Sequence, residues 1–161
     1  MKYLKPALLA SAIAASVQTT AAVLEEVVVT AQKREQSAQD IGIAVTAFTG
    51  DQLKQLGYSN AQQVTAMSPG VTTIQPNGPS AFFVSVRGVG QNDFSGDHQE
   101  SPVAIYVDEA YISAASGAGF QLFDIERTEV LRGPQGTLFG RNATGGLVHY
   151  ITKKPTEEFE M

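Results

Sequence analysis

Residues 130–155 read VLRGPQGTLFGRNATGGLVHYITKKP. Five glycines fall within this span, at Gly133, Gly136, Gly140, Gly145 and Gly146, between the apolar runs EVLRG and LVHYIT. Glycine loses more backbone freedom on folding than any other residue, so this density is costly. A chain accepts it where φ must be positive or where another backbone comes very close. The span therefore predicts a strand, a tight glycine-built loop and a second strand.

Outward from that loop, residues 125–131 (IERTEVL) alternate as a half-buried strand does. Residues 120–124 read as one helical turn, after a stretch from 111 to 119 rich in small residues. Residues 103–107 form an apolar strand, with a turn at Asp108 and Glu109. Residues 82–86 form a strand that runs into Arg87-Gly88-Val89-Gly90, followed by a polar loop over 91–101. Strands are also predicted at 41–49 and 71–74, with a turn at Pro76, Asn77, Gly78 and Pro79. Two capping boxes open short helices between them: Thr49 with Gln52, and Ser59 with Gln62. The first helix, 51–56, ends at Gly57; the second, 60–67, stops at Ser68-Pro69-Gly70. Strands and short helices mixed without βαβ alternation predict an α+β fold with a small mixed four-stranded sheet.

The ends differ from this middle. Lys2 and Lys5 precede an apolar stretch at 6–17, and Thr20-Ala21-Ala22 offers a small-residue cleavage site. That is the pattern of a secretory signal peptide over residues 1–22, too short to span a bilayer. Its removal takes two lysines and no acid from a chain whose net charge is already −5. So acidic a chain, with no basic stripe, excludes nucleic acid as a partner. With no cysteine, an exported protein is held by packing or by a partner that surrounds it. Residues 25–31 (EEVVVTA) have high strand propensity and nothing local to pair with, and QKREQSAQD at 32–40 reads as a flexible linker. A tethered, unpaired strand suits addition to the edge of another protein's sheet.

Familiar catalytic patterns are absent. Gly140 and Gly145 have phosphate-loop spacing, but Gly146 and Leu147 stand where lysine and Ser/Thr are needed. Gly88-Val-Gly90 begins a dinucleotide fingerprint that Asp93 breaks. No G-x-S-x-G elbow or thiol nucleophile occurs. Asp93, Asp97, His98 and Glu100 share one loop, but His98 occupies the turn-glycine position of a calcium loop. His149, mid-strand, reads as a structural ring. The expectation is a non-enzyme with no metal and no cofactor.

Taken together, the export signal, the tethered EEVVVTA and the glycine-built loop resemble the N-terminal plug of TonB-dependent outer-membrane receptors. EEVVVTA resembles the TonB box. Residues 57–70 resemble the plug helix and its S-P-G turn, and FVSVRGVG at 83–90 the strand with its R-G signature. PVAIYVD at 102–108, IERTEVLRGP at 125–134 and GTLFGRNATGG at 136–146 match the following plug segments in family order. The family usually has glycine where Glu109 stands, and a small or amide-bearing pair where His149-Tyr150 stands.

The resemblance implies a signal peptide (1–22), a TonB box and linker (23–40), a plug domain (41–155) and a tail (156–161). It assigns TonB binding to Glu25, Glu26, Val27, Val28, Val29, Thr30 and Ala31. It assigns Arg87 and Arg132 to barrel carboxylates; without a barrel both are expected to face solvent, with intrachain partners at best. It assigns contacts with a small-molecule ligand to Gln91, Asn92, Asp93 and Phe94 on one loop and Tyr111 and Ser113 on another. The partners implied are the periplasmic domain of TonB and an outer-membrane β-barrel of about 22 strands. This sequence runs six residues past Pro155, so the expectation is a truncated or split product, or a piece of a longer reading frame. The implied function is energised uptake of an iron chelate, cobalamin or glycan at the outer membrane. The alternative is a stand-alone periplasmic binding or signalling module with a plug fold.

Overall fold

A computed structural model describes residues 27–76, 78, 81–91 and 99–156. The signal segment, Glu25, Glu26 and all of the tail but Thr156 lie outside the described residues. The elements in chain order are β1 (Val28–Val29), β2 (Gln36–Ser37), β3 (Ala44–Thr49), α1 (Gly50–Gln55), α2 (Ala61–Ala66), β4 (Val71–Ile74) and β5 (Phe83–Val86). There follow β6 (Val103–Val107), β7 (Ala110–Tyr111), a 3-10 turn (Ala115–Gly117), β8 (Ile125–Arg132), α3 (Gly136–Phe139) and β9 (Gly146–Thr152).

The central sheet has the order β3-β8-β9-β6-β7. β6 and β9 run parallel and the other neighbours antiparallel, so the sheet is mixed. Four long strands make it, and the two-residue β7 adds a fifth at one edge. β1 with β2 and β4 with β5 form two further antiparallel pairs outside it.

Side chains alternate across a strand, so the register sorts them onto two faces. On the first face Val130, Val148, Tyr150, Val103 and Ile105 pack against Leu53 of α1, Ala61 and Val64 of α2, and Val84 and Val86 of β5. On the second, Leu131, Leu147 and Ala104 pack against Phe139 of α3, Ala143, and Val29 and Ala31 at the start of the described chain. β8 was expected to be half-buried. Instead residues 128–131 are all buried, because layers cover both faces of the sheet.

The helix starts follow local chemistry, with one shift. Thr49 accepts from the Gln52 N–H and the Gln52 side chain accepts from the Thr49 N–H, as the first capping box requires. The second box sits one residue later than expected. Asn60 caps α2 by accepting from the Gln63 N–H at 3.0 Å, and the Gln63 side chain accepts from the N–H of Ser59 and Asn60. Asn caps as well as Ser, and this start turns Ala61, Val64 and Thr65 into the core.

Residues 120–124 form no helical turn. Phe120 accepts from the Ala61 N–H, and the Leu122 N–H donates to Ser59, so the lead-in to α2 takes their backbone groups. The helical turn falls earlier, at Ala115–Gly117.

The glycine loop is more structured than a bare turn, since it contains the single turn of α3. Gly140, at φ +80°, ends that turn. Gly146 opens β9 at φ +153°, and a Cβ there would lie 2.4 Å from the Leu131 carbonyl oxygen. Only glycine lets β9 start so close to β8.

Candidate functional site

The segment resembling a partner-binding strand was expected to be unpaired. The structure corrects this: β1 folds back on β2 as a small hairpin, Val28 opposite Ser37 and Val29 opposite Gln36. The linker supplies the pairing strand, so residues 32–40 are not an open tether. The Ala38 N–H donates to Val27 and the Lys33 N–H to Thr30. Val29 and Ala31 have no exposed surface, while Val28 is 44% exposed and Val27 and Thr30 are half-buried. The hairpin lies on the second face and takes no place in the central ladder.

What fastens it is a carboxylate. The side chain of Glu129 is fully buried mid-β8. Its Oε1 accepts from the Thr30 N–H at 2.7 Å and from the Thr30 hydroxyl at 3.2 Å. The same oxygen accepts from Nε of Arg127 at 2.9 Å. Arg127 also donates to the Thr30 hydroxyl at 3.2 Å and pairs with Glu126. A buried carboxylate is tolerated only when paired and hydrogen-bonded, and Thr30 and Arg127 provide that. Oε2 of Glu129 has no hydrogen-bond partner among the described residues. A weaker contact lies farther along, where Lys33 pairs with Glu109 at 3.4 Å and stands over the Phe139 ring.

Asp108 takes the positive φ (+52°) of the two-residue β6–β7 turn and Glu109 does not, so the missing glycine costs no strain there. The Asp108 carboxylate accepts from the Thr152 N–H at 2.9 Å. His149 is buried, with Nε2 on the Asp108 carbonyl and its ring against Tyr106 and Phe139.

Arg87 and Arg132 converge on the Ser68-Pro69-Gly70 turn. Arg87 is exposed, and its backbone N–H, not its guanidinium, donates to the Gly70 carbonyl at 2.8 Å. Arg132 is half-buried, and Nη1 donates to the Pro69 carbonyl at 3.0 Å. Neither is ion-paired among the described residues.

Of the residues assigned to ligand contacts, Asn92, Asp93 and Phe94 lie outside the described residues, as do Asp97 and His98. Gln91, Tyr111 and Ser113 line one small cavity of about 30 Å³, together with Phe83 and Ile112. That volume holds about one water rather than a nutrient. The Tyr111 hydroxyl accepts from Asn142 at 2.7 Å. Burial pushes its phenol above the usual range, and that hydrogen bond partly offsets the rise. Glu100 pairs with Arg141 at 2.5 Å. Among the described residues no three His, Asp or Glu side chains are grouped to hold a metal ion.

Sequence reasoning missed Glu129 and Arg127. The available signal was the alternation itself, because Glu129 shares a face with Leu131, and an acid at an inward position needs a partner.

Residues 37–147 match the family model for the TonB-dependent receptor plug domain. The chain is 32% identical over 143 residues to the pesticin receptor of Yersinia pestis, a match covering 88% of this chain and 20% of that protein. It is 29% identical over 134 residues to the vitamin B12 transporter BtuB of Vibrio vulnificus, covering 80% of this chain and 20% of the transporter. Among solved structures, the ferric yersiniabactin uptake receptor FyuA from Yersinia pestis matches with a TM-score of 0.62 at 29% identity, over 74% of this chain and 18% of FyuA. The receptor of the FpvAI–pyocin S2 complex matches with a TM-score of 0.65 at 22% identity, over 82% and 16%, a likeness of fold alone. The chain spans about one fifth of the length of the curated relatives it matches.

Proposed function

This chain belongs to the TonB-dependent receptor plug domain family, and we propose that it is the plug module of an outer-membrane receptor for energised nutrient uptake. It is then exported, works at the outer membrane and catalyses no reaction. The receptor's cargo is an iron chelate, cobalamin or glycan, and a β-barrel surrounds the plug. The names of the relatives, a pesticin receptor, a vitamin B12 transporter and a ferric yersiniabactin uptake receptor, support transport of this kind. The Arg87–Arg132 pair supports a surrounding partner. The Arg132 guanidinium on the Pro69 carbonyl and the exposed Arg87 have no carboxylate partner among the described residues, which suits acids from outside the chain that their planar forks meet two bonds at a time.

The observation that carries the reading is the position of β1. Residues 27–31 lie on the domain but outside its five-stranded ladder, so they can leave without breaking a strand of the core. TonB would then take this segment as an added strand, with main-chain hydrogen bonds supplying affinity. The proposed ligand contacts are Gln91, Asn92, Asp93, Phe94, Tyr111 and Ser113, of which Gln91, Tyr111 and Ser113 line one cavity.

The test is capture of the full chain by the periplasmic domain of TonB, with and without residues 25–31. Loss of capture on deletion supports the reading, and unchanged capture sinks it. Val28→Pro should weaken capture far more than Val28→Ile, because it deletes an N–H that an added strand would use.

A further inference from the structure

The antiparallel register of the β1–β2 hairpin fixes which backbone groups of residues 27–31 remain free. The Val27 carbonyl accepts from the Ala38 N–H across the hairpin, and the groups of an antiparallel strand alternate sides. Val27 and Val29 therefore face β2, and the N–H groups of Val28 and Thr30 face away, along the open edge. An incoming strand must use that edge. At Thr30 it is already occupied: the N–H is bound to Glu129 Oε1 at 2.7 Å, the shortest of the four bonds joining Thr30, Glu129 and Arg127.

We propose that Glu129 is a built-in competitor for the strand-adding partner. Its carboxylate mimics the carbonyl of an added strand at Thr30, and Arg127 holds it in place. The partner must displace it before pairing can pass residue 29. Glu129 thereby sets the fraction of molecules whose segment is open, and apparent affinity falls in proportion to that fraction. The clip itself is a property of this chain. Its effect on the partner rests on the reading of residues 25–31 as the TonB-binding segment.

The experiment compares the full chain with Glu129→Gln and Thr30→Val. Glu129→Gln keeps an acceptor but removes the charge. Thr30→Val keeps the branched shape and removes only the hydroxyl, at a half-buried position where folding is safe. Amide exchange at Thr30 is read against amides of Leu147 and Val148, and binding of the TonB periplasmic domain is measured in parallel. A charge-assisted bond is roughly twice as strong as a neutral one, so Glu129→Gln should speed Thr30 exchange about tenfold. Thr30→Val should speed it about fivefold. The Leu147 and Val148 amides should keep their rates, and TonB should bind each variant more tightly by a similar factor. Unchanged exchange at Thr30 in both variants would overturn the clip. Equal acceleration at Thr30 and in β9 would also overturn it, by making the contact part of the core. Faster exchange with TonB affinity equal to that of the parent chain would overturn the competition and leave the TonB reading standing. No TonB binding by any form would overturn both.

Discussion

The two faces of the central sheet are fastened by different chemistry. On the first, the hydroxyls of Thr65 and Tyr150 lie 2.6 Å apart, and each is 2.8 Å from the Ala61 carbonyl, in a site closed to solvent. All the groups are neutral, and burial pushes the Tyr150 phenol strongly up, against its bond to Thr65, so it stays uncharged. On the second, beside Phe139 and Ala143 of the glycine loop, part of the cover is a hairpin of two-residue strands, contributing Val29 and Ala31 to the core and clipped by one carboxylate. The first face is covered by two capped six-residue helices and the β4–β5 pair, packed together in one core that they cannot leave singly. The hairpin on the second face puts only Val29 and Ala31 fully into the core and has one buried polar anchor, the profile of a unit that opens below the global unfolding free energy. The difference teaches that a segment can be ordered and still be poised to leave.

The comparison can be broken in several places. The largest effect is expected for Tyr150→Ala, which removes the centre of the first face and should cost about 3–5 kcal/mol of global stability in urea titration. If it left the midpoint unchanged, the neutral network would not be the permanent side. Gly146→Ala comes next. It forces a side chain into φ +153° and toward the Leu131 carbonyl. It should cost about 1–3 kcal/mol, and it should loosen both faces, since both share the β8–β9 register. Val29→Ala removes two buried methyl groups' worth of contact, about 1.5 kcal/mol. That loss should appear as roughly tenfold faster amide exchange over residues 27–31 with the urea midpoint unmoved. A shifted midpoint would erase the distinction between the faces. Lys33→Ala breaks an ion pair whose side chains are 47% and 77% exposed. It should change stability by under about 0.5 kcal/mol, a check that Glu129 and not Glu109 anchors the hairpin.

Much of the first face was legible in the chain. Strands β4, β5, β6, β8 and β9 follow the apolar runs, and Thr49 announced α1 by a capping box that closes as read. The second box slipped because Ser59-Asn60 and Gln62-Gln63 offer two adjacent pairs, and only the packing of Ala61 and Val64 chooses between them. The turn expected over 120–124 failed because its carbonyls and amides serve α2, a contact no local pattern carries. The second face was harder. β2 is Gln36–Ser37, polar and two residues long, so β1 looked unpaired. Glu129 looked like the polar half of an alternating strand, and nothing in IERTEVLR says that another layer lies above it. Arg87 and Arg132 were found by resemblance, but their meeting at Pro69 and Gly70 is a tertiary fact.

The central claim is that residues 27–31 open independently of the sheet they rest on. Its most direct test is amide exchange of the full chain over a range of low urea concentrations. The account predicts that Val29, Thr30 and Ala31 exchange at a rate nearly independent of urea, much faster than Val130, Leu131, Leu147 and Val148, whose rates rise steeply with it. A single shared free energy and a single shared urea slope for all seven would contradict it.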